Sequence, residues 1–224
     1  MAQANIDVNK QTVLELLQSG QETPFLVPEY QRPYSWGDDE ISTLFDDIWS
    51  FSIEHTQPNG ARSYFLGCVV SYKEEGFRQI IDGQQRITSL FLLLRAVFAM
   101  LEKEDNQTKE VSNFMSKIKP ALWKVDEMTG EEDREQMLLE SDVVSDRGNR
   151  LLRKILETGE TKEGATDNYS KNYNTFIGLY TEKSKNSPHQ IYNFINALLN
   201  YTILLPIGAD DQETALTIFN TLNN

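Results

Sequence analysis

The sequence IIDGQQRITSLFLLL, residues 80–94, joins three elements in a fixed order. The apolar run that ends at Ile81 predicts a strand, Gly83 predicts a turn, and the apolar residues from Ile87 onward predict a helix. Because this helix is apolar almost all round, we expect it to lie in the centre of a domain. The stretch therefore predicts a strand, turn and helix unit at the heart of a mixed fold.

The residues on the N-terminal side of this stretch predict further elements of both kinds. Residues 64–72 are rich in β-formers and precede residues 77–82 across the polar sequence KEEG, a spacing that predicts a β-hairpin. Residues 25–27 predict a short strand. A first helix is predicted over residues 8–20, and a second is predicted to begin with Asp38 as its N-cap.

The second half of the chain is predicted to be mainly helical. We expect a helix from about residue 106 that stops at Pro120, while residues 121–142 fit either strands or a helix. Helices are predicted around residues 151–156, 168–184, 190–201 and 211–222, with a strand at 202–207. The predicted class is α+β, with a mixed α/β unit at residues 1–104 and a mainly helical subdomain at 105–224. Since the chain stops abruptly after its last helix, we expect it to be part of a longer protein.

Composition and charge limit the functions open to the chain. Its 224 residues carry 34 Asp and Glu against 21 Lys and Arg, a net charge of −13, and both halves are acidic. Binding to a DNA duplex by this chain alone is therefore disfavoured, whereas a small anion needs only a few donors. One Cys and two distant His exclude a disulfide and a Cys/His zinc site. With no leader and no membrane-spanning apolar run, we expect a cytoplasmic protein.

The turn at residues 82–86 is the strongest candidate site. Unpaired backbone N–H groups and the positive end of the helix dipole favour an anion there, and Arg86 adds donors that suit phosphate oxygens. An alternative is purely structural, because Asp82 and Gln85 have the spacing of a capping box. The spacing alone leaves both open.

Two other segments are candidates with structural alternatives. In VPEYQRPYSW, residues 27–36, the prolines favour an extended chain that points Gln31 and Arg32 to opposite sides, so that one joins a pocket. The alternative is an aromatic lining between subdomains, with Arg32 stacked on a ring. In TALTIFNTLN, residues 214–223, the asparagines either cap a helix or face a site.

Five motifs follow one another in a distinctive order: VPEYQRPYSW, YFLGCVVS, IIDGQQRITSLFLLL, NYNTF and ALTIFNTLNN. In order and spacing the chain resembles the N-terminal domain family of the GmrSD-type modification-dependent restriction endonucleases. This resemblance implies a ParB/sulfiredoxin-like unit in residues 1–104, whose strand, glycine and helix turn holds nucleotide phosphates. It also implies a nucleoside-triphosphate-binding and hydrolysing domain that regulates DNA cleavage in phage defence.

The resemblance also implies roles for individual residues. The catalytic candidates, which follow the family's D-G-Q-Q-R motif, are Asp82, Gln84, Gln85 and Arg86. The nucleotide-binding candidates are Tyr30, Gln31, Arg32, Gly83, Arg86, Thr88 and Asn223. Either Gln84 or Gln85 is expected to orient the attacking water. Asp82 is expected to hold Mg²⁺ through water or to cap the helix. No residue is predicted to bind a metal directly.

The partners implied are a nucleoside triphosphate, GTP or another, with Mg²⁺, and an HNH-type nuclease domain that lies beyond residue 224 or in a separate chain. DNA is expected to be engaged only through the full-length protein, and a homo-oligomer is possible. One alternative is a non-catalytic module that binds nucleotide structurally or not at all. Another is an enzyme that processes DNA directly, which the net charge of −13 disfavours.

Overall fold

A computed structural model describes residues 7–57, 59–60, 62–143 and 146–222. Its helices are α1 (Val13–Gln18), α2 (Asp38–His55), α3 (Gln84–Glu102), α4 (Lys109–Leu122), α5 (Asp146–Thr158), α6 (Asn168–Asn186), α7 (Pro188–Asn200) and α8 (Gln212–Leu222). Its strands are β1 (Asp7–Val8), β2 (Gln11–Thr12), β3 (Phe25–Val27), β4 (Tyr64–Glu74), β5 (Phe77–Asp82), β6 (Trp123–Val125), β7 (Glu132–Met137), β8 (Leu139–Ser141) and β9 (Thr202–Ala209).

Seven of the described strands form one mixed sheet in the order β1, β9, β4, β5, β3, β8, with β2 also paired to β9. The hairpin of β4 and β5 is antiparallel, whereas β9 joins β4 and β3 joins β5 in parallel. Strands β6 and β7 form a separate antiparallel pair. The sheet therefore combines strands from both ends of the chain around the central hairpin.

The principal core lies between one face of the sheet and the helices that pack on it. Alternation along the strands directs Val69, Ile80 and Leu204 into this core, where they meet α3. Nearly every residue of α3 is buried, and Phe98 packs edge-on against Trp123 with ring centroids 5.1 Å apart. The helix is thus enclosed by other elements, which is why it lacks a polar face.

The other face of the sheet carries a smaller apolar cluster. Val70, Ile81 and Ile207 point to this side and pack with Ala215 of α8. Because neighbouring residues of β4 and β5 face opposite sides, one hairpin contributes to both cores. This arrangement brings α8 close to the turn at the end of β5.

Most of the predicted elements are confirmed. The α+β class, the hairpin of β4 and β5, the strand at Phe25–Val27 and the central helix are all present. Residues 121–142, which fitted two interpretations, contain the end of α4 followed by three short strands. The ParB/sulfiredoxin likeness and a subdomain boundary at residue 104 stay predictions.

Three local predictions are wrong. The first helix does not include Val8, which pairs with β9, and it begins at Val13 behind a capping box made by Thr12. Helix α2 is capped by Gly37 rather than Asp38, because the Glu40 carboxylate accepts a hydrogen bond from the Gly37 N–H at 2.9 Å. Helix α4 continues through Pro120 to Leu122.

Within the described residues, no helix combines the length and the apolar character that crossing a membrane requires. Helix α3 comes nearest in composition, but Arg95 interrupts its apolar sequence. Its burial is instead explained by the surrounding helices and sheet.

We predict that shortening a side chain in α3 lowers the free energy of unfolding strongly. Leu93 is fully buried, so Leu93→Ala removes apolar contacts and leaves a cavity, with a loss of about 2–5 kcal/mol. Denaturant unfolding followed by circular dichroism measures this loss. Met128→Ala is the control, because Met128 is 96% exposed and its change is expected to stay within about 0.5 kcal/mol. Equal effects of the two changes would contradict the central position of α3.

Candidate functional site

The turn between β5 and α3 has a conformation that requires glycine. Gly83 has φ 87° and ψ 7° and serves as the N-cap of α3. A Cβ atom at this position would lie 3.1 Å from the carbonyl oxygen of Cys68 and from Cγ2 of Val69. Any other residue would be strained by its φ and crowded by β4. The start of α3 is therefore fixed directly against the neighbouring strand.

The N-terminus of α3 keeps its first backbone donors available. The first helical hydrogen bond runs from the Ile87 N–H to the Gly83 carbonyl at 2.9 Å, and no side chain caps the helix. The N–H groups of residues 84–86 accordingly have no partner within the helix. The capping-box alternative is wrong, because Asp82 is the last residue of β5 and Gln85 bonds elsewhere.

A cavity of about 400 Å³ opens at this helix N-terminus. It is lined by residues from the turn, from the extended segment before α2 and from α8: Gln31, Arg32, Trp36, Ile81, Asp82, Gly83, Gln84, Gln85, Arg86 and Phe219. Two guanidinium groups and one carboxylate give this lining a positive balance, although the whole chain carries a net charge of −13. The cavity is therefore suited to a small anion.

Gln84 presents a buried acceptor that lacks a partner. Its side chain is 7% exposed, and its Nε2 donates to the carbonyl oxygen of Arg32 at 3.3 Å. The amide oxygen Oε1 has no hydrogen-bond partner. A buried polar atom without a partner is costly to the folded protein and requires an explanation. Because Oε1 is itself inaccessible to solvent, the Gln84 side chain would have to rotate before a ligand or water molecule could supply one.

Both ends of the Gln85 side-chain amide hold the extended segment. Its Oε1 accepts from the N–H groups of Ser35 at 2.8 Å and Trp36 at 3.2 Å. Its Nε2 donates to the carbonyl oxygen of Pro33 at 3.1 Å. Gln85 therefore shapes the cavity wall, and of the two glutamines only Gln84 has a free amide oxygen.

Arg86 lies across a glycine of β4. Its Nη1 donates to the carbonyl oxygen of Cys68 at 2.8 Å, and a Cβ atom at Gly67 would come within 2.8 Å of its Cζ. Arg86 forms no ion pair with any described residue, so most of its five N–H donors remain available. Gly67 thus provides the space in which the guanidinium rests.

Sequence reasoning assigned no role to Asn172, which the structure places directly behind the site. Its Nδ2 donates to the Tyr34 hydroxyl at 2.9 Å and to the Trp36 carbonyl oxygen at 2.8 Å. The Tyr34 hydroxyl also meets Ser89 of α3 at 2.7 Å, and burial raises the pKa of Tyr34 to about 12. Helices α3 and α6 therefore hold the same segment. The NYNTF motif was the available signal, since it begins at Asn172.

The structure brings most of the predicted site residues together. Seven of them line the cavity: Gln31, Arg32, Asp82, Gly83, Gln84, Gln85 and Arg86. Tyr30 and Thr88 do not line it. Tyr30 lies on the surface beside Tyr72 and is 51% exposed. Thr88 is buried next to Gln84 and Gln85. Asn223 lies outside the described residues.

The extended segment combines both interpretations given to it. Tyr34 packs as a lining residue, stacked on Tyr169 with ring centroids 4.9 Å apart. Arg32, by contrast, lines the cavity. It is not stacked on a ring, since the cation–π pairs found among the described residues are formed by Arg78, Arg95, Arg134 and Lys183. Trp36 and Phe219, which belong to the motifs VPEYQRPYSW and ALTIFNTLNN, complete the wall.

In the part of the chain that the structure describes, no three His, Cys, Asp or Glu side chains converge in a way that suits a metal ion. Among the residues with described positions, Asp82 is the only carboxylate that lines the cavity at the start of α3. Any divalent cation at this site would therefore need most of its ligands from a bound molecule or from water.

Comparison with protein families identifies the family to which these motifs belong. Over residues 13–224 the sequence matches the family described as GmrSD restriction endonuclease, N-terminal domain. The chain belongs to this family. No match is found among curated proteins. Membership links this GmrSD N-terminal domain to restriction of DNA, to phage defence and to a partner nuclease domain, and it confirms the resemblance carried by the five motifs.

We predict that Asn172 stabilises this GmrSD N-terminal domain through the extended segment. Asn172→Ala leaves the Trp36 carbonyl oxygen without this donor and removes one partner from Tyr34. The free energy of unfolding should therefore fall by about 1–3 kcal/mol. Denaturant unfolding measures the change. The matched control is Asn174→Ala, since Asn174 is exposed on the same helix and bonds only to Thr161. A loss no larger than that of the control would show that the segment is held without Asn172.

Proposed function

We propose that this domain binds a nucleoside triphosphate at the N-terminus of α3 and hydrolyses it as the regulatory step of a restriction endonuclease. The observation that carries the proposal is the cavity itself. It combines three free backbone donors, two guanidinium groups that form no ion pair with a described residue, and a wall to which Gln84, with its partnerless Oε1, contributes. Family membership supports the restriction role.

The phosphates are proposed to lie over the first turn of α3. Backbone N–H groups of residues 84–86 donate to the phosphate oxygens, and the helix dipole favours their charge. Gly83 allows close approach because it has no side chain. Arg86 and Arg32 add charge-assisted hydrogen bonds from two sides of the cavity. Each group is present without a competing ion pair among the described residues.

Gln84 is proposed to orient the attacking water. After a rotation of the side chain, its partnerless Oε1 would accept a hydrogen bond from a water molecule and direct it at the terminal phosphorus, as a glutamine does in GTPases. The water oxygen bonds to that phosphorus, the bond from phosphorus to the bridging oxygen breaks, and a nucleoside diphosphate, inorganic phosphate and a proton are released. Gln85 supports this geometry by holding residues 33–36 in place.

A magnesium ion fits this proposal with Asp82 as its protein contact. Mg²⁺ commonly binds one or two carboxylates together with substrate phosphates and water, which agrees with a single carboxylate in the cavity lining. When bound, the ion would neutralise charge on the phosphates. Asp82 would hold it, directly or through water.

We predict that Arg86→Ala weakens nucleotide binding. The loss of a charge-assisted hydrogen bond costs about 1.5–3 kcal/mol, which corresponds to a Kd about 10 to 150 times higher. Isothermal titration with ATP, GTP, CTP and UTP in the presence of Mg²⁺ measures it.

Arg153→Ala is the matched control for this experiment. Arg153 is an exposed arginine of α5 whose guanidinium donates to the Glu135 carbonyl oxygen, away from the cavity. Its removal takes the same charge from the chain and should leave Kd unchanged. If Arg86→Ala binds nucleotide as tightly as the wild type, the phosphate site does not lie at residues 83–86.

We predict that Gln84→Leu reduces turnover while it leaves binding largely intact. Leucine fills the same space but lacks the amide oxygen, so water is no longer oriented, and phosphate release should fall by at least about tenfold. A phosphate-release assay beside isothermal titration separates the two effects. Nucleotide binding by the wild type without any phosphate release would favour the alternative of a non-catalytic module.

A further inference from the structure

A second cavity adjoins the first and shares two residues with it. This groove, of about 340 Å³, lies between α2, the start of β4 and the first turn of α3. It is lined by Trp36, Asp39, Glu40, Thr43, Leu44, Asp47, Tyr64, Leu66 and Arg86. Trp36 and Arg86 line both cavities, so together they form the boundary between them. The two cavities are therefore neighbours, separated by these two side chains.

The two cavities have opposite electrostatic character. Two arginines and one aspartate line the first, whereas three carboxylates and the shared Arg86 line the groove. Phosphate is therefore attracted to the first cavity and repelled from the groove. A ligand that spans both must carry its anionic end at the start of α3 and a neutral end, rich in hydrogen-bond donors, in the groove.

The apolar part of the groove suits a flat ring. Trp36 offers an aromatic surface, and Leu44 and Leu66 provide aliphatic contacts. Flat apolar side chains combined with a few polar groups are typical of small-molecule sites. The polar groups then decide which ring is accepted.

Two carboxylates of the groove are held by hydrogen bonds, and whereas Glu40 caps α2 through the Gly37 N–H, Asp47 is oriented by a groove residue. Its Oδ2 accepts a hydrogen bond from the Tyr64 hydroxyl at 2.9 Å. Burial and this contact with Asp47 raise the pKa of Tyr64 to about 12, so the hydroxyl is a donor at neutral pH. The other oxygen, Oδ1, makes no hydrogen bond to a described residue. By contrast, the neighbouring Asp46 does not line the groove and pairs with Lys183 at 3.2 Å.

We propose that the groove is the nucleobase site and that Asp47 selects guanine. The proposal rests on the proposed function, because it requires the triphosphate to lie at residues 83–86. Guanine presents a ring N–H beside an exocyclic amino group, and a carboxylate accepts both at once. Adenine and cytosine place an amino group beside an acceptor, and uracil flanks its single N–H with carbonyls. Each of these bases therefore donates fewer hydrogen bonds to the carboxylate than guanine does.

The test compares GTP with inosine triphosphate, which lacks only the 2-amino group. Isothermal titration should show that the wild-type chain binds GTP on the order of tenfold more tightly than inosine triphosphate. This ratio corresponds to the loss of one charge-assisted hydrogen bond. Asp47→Asn should bring this ratio close to one, because the amide offers a single acceptor. Tyr64→Phe should reduce the ratio in part, since it keeps the carboxylate but removes the group that orients it.

Asp46→Asn is the matched control, because it removes the same charge from the adjacent position of α2 and should leave the ratio unchanged.

Inorganic tripolyphosphate separates the two proposals, since it engages the phosphate site without a base. If tripolyphosphate and both nucleotides bind but GTP and inosine triphosphate bind equally, the base assignment is wrong and the phosphate site stands. If none of them binds, both are wrong. If Phe219→Ala alters the ratio and Asp47→Asn does not, the base lies in the first cavity and the assignment is overturned.

Discussion

The left-handed turn at Gly83 determines the geometry on which the rest of the site depends. It ends β5 and starts α3 within one residue, against the backbone of Cys68 and Val69, so that no side chain fits between helix and strand. Because α3 is almost wholly buried, its first turn cannot shift without disturbing the principal core. The same burial that stabilises the domain therefore fixes the free N–H groups of residues 84–86 in one place. Rigid placement of unpaired donors is what an anion site requires.

Around this turn, buried amide side chains link separate parts of the chain. Gln85 binds the segment at residues 33–36 from α3, and Asn172 binds it from α6. The partnerless atoms in this region are Oε1 of Gln84 and Oδ1 of Asn172. Gln84 is part of the cavity wall, whereas Asn172 lies behind it and is held against the same segment.

The sequence predicted the central unit because its signals agree. Apolar alternation, Gly83 and an apolar helix all indicate one arrangement, and the family motifs mark the residues that line the cavity. It could not predict the use of Gln85, since its capping-box spacing fits local structure while its partners lie about fifty residues away. Tertiary contacts also decide the ends of elements. Gly37 replaces Asp38 as a cap, and α4 runs through Pro120 because its last turn packs in the core.

The most direct test of the central claim is the amide chemical shifts of ¹⁵N-labelled protein titrated with inorganic tripolyphosphate. If the N-terminus of α3 is the phosphate site, the N–H resonances of residues 84–86 should move furthest and should saturate together. The contrary result would be shifts that concentrate at another cavity, such as the one of about 370 Å³ that Lys73 and Arg78 help to line, while residues 84–86 stay unchanged. That outcome would leave the free donors of α3 as a structural feature without a ligand.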